Sequence, residues 1–139
     1  MGTRSITKFI ESDGNKQSAI CAMYRQFDGY PTGHGLDLAE FLNGGKLVNG
    51  IPVGNTDLVF NGMGCLAAQV IAHLKQGAGG IYIEHPDREN SENYYYEVIG
   101  NSFKPKEITI KCYRGNELLF EGTPEEIIKK IKEEYAESE

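Results

Sequence analysis

The sequence predicts an α+β domain: a mostly antiparallel sheet of about six strands with three helices, in the order ββααββββα. Three observations point there. Strand-like runs come in blocks, two before the first helices and four after them, where a doubly wound parallel sheet would alternate the two kinds of element. Residues 124–136 carry a full set of helix start signals. The 139 residues, 40% hydrophobic and 24% charged, suit a single globular core over 1–139 and are too few for two.

The elements follow in chain order. Ser5–Ile10 alternates polar and apolar residues, Asp13-Gly14-Asn15 is turn chemistry, and Gln17–Gln26 is a second run, so the two form a β-hairpin. Within the second run Ile20, Cys21, Ala22, Met23 and Tyr24 are continuously apolar, as expected of a strand covered on both faces. The segment from Asp28 to Gly35 breaks all periodicity with three glycines and Pro31, and Tyr30-Pro31 is a candidate cis bond. Leu36–Leu42 is a short amphipathic helix stopped by Gly44-Gly45. Residues 46–60 are polar and turn-rich and read as an excursion within the domain.

Met63–Lys75 is the second helix. It is apolar on one face and small on the other through Cys65, Ala68 and Ala72, which predicts a helix sandwiched between layers. After the glycine-rich stop at 76–80, Ile81–His85, Tyr94–Ile99, Glu107–Tyr113 and Leu118–Glu121 read as four short strands. The last helix has Thr123 as N-cap, Pro124 at its first position, and Glu125 and Glu126 against the helix dipole. Its core stripe is Ile127, Ile128, Ile131 and Tyr135.

Composition excludes several function classes. Half of the net charge of −6 lies in residues 125–139, where six acidic residues face three lysines, so the acidity marks a solvated terminal helix and no DNA-mimicking surface. No basic stripe is present to neutralise a row of phosphates, which argues against direct duplex nucleic-acid binding. The longest apolar runs fall far short of the roughly 20 residues that span a bilayer. Met1–Ile6 lacks a secretory core and the Ser or Thr of a myristoylation signal, so a cytoplasmic protein is expected. Cys21, Cys65 and Cys112 are odd in number and widely spaced, and read as free thiols. His34, His73 and His85 show no ligand spacing, so no metal is expected, and no cofactor motif is present.

Two constellations remain. Cys65 lies in the first turn of the second helix behind Gly62-Met63-Gly64, where backbone N–H groups favour a thiolate. With His34 as base and Asp28 as its orienter it makes a set of the right types for a cysteine-dependent hydrolase or transferase. The plainer reading is a packed cysteine. Arg4 and Arg25 both fall at the open end of the hairpin beside the glycine-rich loop. With Tyr30, Gly33, Gly35 and Gln69 they outline a site for a carboxylate or phosphate, with His34 at its rim. The plainer reading is that an arginine pairs with Asp28 and clamps the loop. The tyrosines Tyr24 and Tyr94 to Tyr96 read mostly as sheet packing.

Three blocks, Met-Gly-Thr-Arg-Ser at 1–5, Tyr24–Pro31 with Gly33-His34-Gly35, and Phe60–Gln69, resemble a family of small proteins found in tailed phages, T-even types included, and in scattered bacteria. The resemblance implies a phage-related source and an accessory role in the host cytoplasm, and it assigns no catalytic or binding residue. The expected function is therefore that of a binding module for a host protein or a small anionic ligand. The alternatives are the Cys65 enzyme and an accessory protein whose glycine motifs serve folding only.

Overall fold

The computed structural model describes residues 2–50, 58–104 and 107–135. Two strands, β1 (Ser5–Ser12) and β2 (Gln17–Arg25), form the expected hairpin. A single turn of π-helix, Pro31–Gly35, then runs directly into α1 (Leu36–Asn43). Two three-residue strands, β3 (Lys46–Val48) and β4 (Val59–Asn61), pair in parallel across the excursion, of which residues 51–57 lie outside the description. The chain continues with α2 (Gly62–Leu74), β5 (Ile81–Glu84), β6 (Tyr94–Gly100), β7 (Thr109–Arg114), β8 (Glu117–Gly122) and α3 (Pro124–Glu134). Residue 136, the expected end of the last helix, also falls outside the description.

The main sheet has the order β5-β2-β1-β6-β7-β8. Every pairing is antiparallel except β1 with β6, which join the N-terminal hairpin unit to the C-terminal meander in parallel at the centre. Strand parity then decides which residues meet the helices. Phe9, Met23, Tyr96, Val98, Ile110, Cys112 and Phe120 point to one face and pack with Leu38 and Leu42 of α1, Met63, Leu66 and Val70 of α2, and Ile127 and Ile131 of α3. Ile6, Ile10 and Ile99, also buried, belong to the other face and lie outside this cluster. The described residues thus form two layers, with one face of the sheet free of helices among them.

That layering corrects one expectation. In α2 the buried residues are Met63, Leu66, Ala67 and Val70, while Ala68 and Ala72 are exposed, so the helix is not sandwiched. Its small outer residues simply face out of a two-layer structure. In β2 the successive Ala22 and Met23, on opposite faces, are both wholly buried as an interior strand requires, whereas Ile20, left unpaired by the β-bulge opposite Phe9/Ile10, is 41% exposed. No cis peptide bond occurs among the described residues, so Tyr30-Pro31 is trans.

The capping of α3 is as complete as its sequence promises. Thr123 Oγ1 accepts from the Glu126 N–H and the Glu126 carboxylate accepts from the Thr123 N–H. The start of α2 is held from outside the helix. The Met63 N–H donates to Ser102 Oγ at 2.7 Å, Ser102 Oγ donates to Glu11 Oε1, and the Ser102 N–H donates to Glu11 Oε2 at 2.6 Å. A carboxylate therefore already faces the positive end of α2 through a serine.

Candidate binding site

The loop after β2 is built by backbone approach. Asp28 takes a left-handed conformation (φ 56°), which an aspartate tolerates better than most residues, and its carbonyl accepts the His34 N–H at 2.7 Å. The Gly29 N–H donates to the Thr3 carbonyl at 2.9 Å, and a Cβ on Gly29 would sit 2.9 Å from the Arg4 carbonyl. A Cβ on Gly33 would lie 2.5 Å from the Asp28 carbonyl. These glycines let the N-terminal strand, the loop and the π-turn touch one another, so the room they free is filled by protein.

Beneath the loop lies a buried polar chain. His34 is wholly buried, its ring edge-on to Tyr96 at 4.9 Å. Arg25 Nη1 donates to His34 Nδ1 at 3.0 Å and to Asp37 Oδ2 at 2.9 Å. Because a guanidinium only donates, Nδ1 must carry the lone pair. The proton is then on Nε2, which donates to Thr7 Oγ1 at 2.6 Å. Burial, reinforced by the Arg25 charge, drives the His34 pKa down from 6.5 to about 3, so the ring is neutral. Tyr96 completes the cluster by donating its hydroxyl to the Gly29 carbonyl at 2.8 Å, and burial raises its pKa well above the usual value. Three elements and the loop are locked together through one histidine.

This geometry distributes the sequence candidates as follows. Arg25 and His34 meet directly, and His34 is interior where a rim position was expected. The arginine partner is Asp37, where Asp28 was expected, because the π-turn delivers the first turn of α1 to Arg25. Asp28 turns its carboxylate outward to accept the Tyr30 hydroxyl at 3.0 Å. Arg4 is exposed and separate from Arg25. It lines a hollow of about 350 Å³ with Gly2, Ser91, Glu92 and Asn93, and Glu92, already bonded to Arg88, brings a carboxylate to the same hollow. Gly35 packs against Ile131 and Tyr96.

Cys65 is half-buried and accepts from Gln69 Nε2 at 3.3 Å, while the same amide donates to the Val59 carbonyl at 2.8 Å and ties α2 to β4. No hydrogen bond links Cys65 to His34 among the described residues. The start of α2 is anchored near Glu11, four residues along β1 from the Thr7 that holds His34, which is about 13 Å of strand. Both ring nitrogens of His34 are occupied, so it holds no free lone pair for a thiol proton.

What sequence reasoning missed is on the helix-free face. The strand register places Tyr82 opposite Tyr24, Tyr24 opposite Ile6, Ile6 opposite Tyr95, Tyr95 opposite Tyr113, and Tyr113 opposite Leu118. One apolar and aromatic row therefore crosses all six strands, about 24 Å at the usual strand spacing. Tyr24 stacks on Tyr82 at 6.0 Å and Tyr95 tilts against Tyr113 at 5.6 Å. The adjoining row reads Glu84, Ala22, Lys8, Glu97, Lys111, Glu121, alternating in charge from Lys8 onward. Lys8 lies over the Tyr95 ring, and Arg88, paired with Glu84 and Glu92, lies over Tyr24. Burial raises the Tyr95 pKa, reinforced by the hydroxyl's hydrogen bond to Glu97 at 2.7 Å. No local signal could reveal the row, since its six members come one from each of six strands.

No family model, curated protein or solved structure matches this chain.

Proposed function

We propose that this chain is a phage-type accessory protein that acts in the host cytoplasm by binding a protein partner, and that the tyrosine row is its recognition face. The observation that carries the reading is the alignment of Tyr82, Tyr24, Ile6, Tyr95, Tyr113 and Leu118 in a single row on the face that no helix of the described residues covers. Tyrosine combines a large apolar body with a polar tip and loses little side-chain freedom on contact, which is why it is enriched at interface cores. The neighbouring charged row supplies a polar rim of both signs, suited to a protein and poor for a polyanion. The buried Arg25–His34–Thr7 chain is a positioning device in this reading, because Arg25 spends its charge on Asp37 inside the fold. The cysteine-enzyme alternative gains no support from a histidine whose two nitrogens are already engaged.

The test is capture of a host protein on the tagged full chain, with the complex then rebuilt from purified components. Tyr82→Ser combined with Tyr113→Ser should weaken that complex at least about tenfold, while Cys65→Ser leaves it unchanged. A host partner that binds the tyrosine variant as tightly as the parent, or no stoichiometric partner at all, overturns the proposal.

A further inference from the structure

A second surface, which meets the tyrosine row only at Tyr82, lies on the free edge of β5. Among the described residues, Ile20, Phe27, Tyr82 and Ile83 are large apolar side chains exposed by 41%, 42%, 45% and 68%, and all four belong to β2, β5 or the turn that follows β2. Ile83 is the most exposed of them, on a strand with no neighbouring strand on its outer side among the described residues. Natural edge strands are usually blunted by charge, proline or a bulge, and an apolar edge left open invites another strand.

The backbone pattern shows which groups are open. The Gln26 N–H donates to the Gly80 carbonyl at 2.8 Å, so the even-numbered residues of β5 face β2 and Ile81 and Ile83 turn their N–H and C=O groups outward. At Ile81 those groups are taken: the N–H donates to Gly79 at 2.9 Å and the carbonyl accepts from Lys75 Nζ at 2.7 Å. The His85 carbonyl accepts the Arg88 N–H at 2.9 Å. The open edge is therefore centred on Ile83. Lys75 flanks it at one end, and Asp87, whose side chain is 90% exposed, flanks it at the other.

We propose that two copies of this chain pair antiparallel along β5 about a two-fold axis at Ile83. In that register Ile83 exchanges both backbone hydrogen bonds with the partner's Ile83, and the isoleucine side chains cover each other. Residue 81 then faces residue 85 of the partner subunit, and the turns beyond the two ends of β5 bring the Lys75 end of each edge beside the Asp87 end of the other. The edge carries opposite charges at its two ends, which makes it its own complement under a two-fold and the wrong pattern for a parallel neighbour. Pro86 does not obstruct the pairing, because it lies in the turn after β5 that the Arg88 N–H closes onto the His85 carbonyl, beyond the paired strand. The contact is smaller than the roughly 800 Å² per partner of a standard interface, so the dimer is a weak one.

Sedimentation velocity of the full chain from about 1 µM to about 1 mM should show the mass rising from 15.4 kDa toward twice that value. Ile83→Lys, at a position exposed enough to leave the monomer folded, should keep the mass at the monomer value throughout, and Asp87→Lys should raise the dissociation constant about tenfold. Hydrogen exchange gives a second readout, since the outward Ile83 N–H should gain protection only as concentration rises. A parent chain that stays monomeric near 1 mM, a dimer that survives Ile83→Lys, or a dimer whose Ile83 amide remains open to exchange overturns the proposal.

Discussion

A neutral histidine between an arginine and a threonine has a measurable consequence. His34 resists protonation down to about pH 3 in the folded chain, whereas the same side chain titrates near 6.5 when unfolded. Between those values the unfolded state binds a proton that the folded state refuses. The stability His34 contributes is therefore fully present above about pH 6.5 and is lost as pH falls, by up to about 1.4 kcal/mol per pH unit. Denaturation followed from pH 6.5 to 4.5 should show this slope, and His34→Gln should flatten it. The same ring should report the Nε2–H tautomer by nitrogen NMR at pH 5, with no sign of imidazolium. An imidazolium at pH 5 would mean that the arginine contact is absent in solution. The residue types of this cluster were readable in the sequence, and its wiring was not. Arg25, His34 and Asp28 all carry suggestive chemistry, yet the carboxylate that reaches Arg25 is Asp37, because a π-turn in place of an open loop shifts which residue of α1 arrives there.

Local signals were strongest where several of them agreed within one element. Thr123, Pro124, Glu125 and Glu126 announce α3 before any packing is considered, and the isoleucine stripe says which side is buried. Thr123→Ala should cost about 1 kcal/mol by removing the cap, and Ile131→Ala about 3 kcal/mol by opening a cavity under the helix. Thermal unfolding of the two variants checks the order. The start of α2 shows the opposite situation. The glycines around Met63 suggest helix-end N–H groups that favour a Cys65 thiolate, but the partner of that end is Ser102, 39 residues away and backed by Glu11 from β1. Ser102→Ala leaves the Met63 N–H without its acceptor and the Glu11 carboxylate with one bond fewer, and should cost about 1–2 kcal/mol in urea denaturation. A neutral outcome would mean that the helix start is satisfied by water. Helix periodicity sees neither partner, which is why it places α2 to within one residue at each end but tells neither what holds its start nor what its outer face meets.

At the scale of the whole molecule, the element order was legible because each strand carries its own apolar pattern, but the sheet order was not. The parallel meeting of β1 and β6 brings together residues about 90 positions apart, and it alone brings Tyr24 of the hairpin and Tyr82 of β5 into line with Tyr95 and Tyr113. The same pairing predicts how the molecule opens. Cys112 lies wholly buried in β7, between β6 and β8 and within the core that also contains Ile127 and Ile131 of α3, and burial pushes its thiol pKa up to about 12. Cys65 and Cys21 are only half-buried. If the six strands and their helices form one cooperative unit joined through β1 and β6, no local opening exposes Cys112. Its alkylation by iodoacetamide should then follow global unfolding, with the logarithm of the rate rising in urea along the full equilibrium slope of about 1–3 kcal/mol/M, while Cys65 reacts with little urea dependence. Site-resolved mass spectrometry separates the three thiols. Should Cys112 label in native buffer at a rate indifferent to urea, the C-terminal meander opens on its own, and the parallel β1–β6 junction is a hinge between two units and not the centre of one.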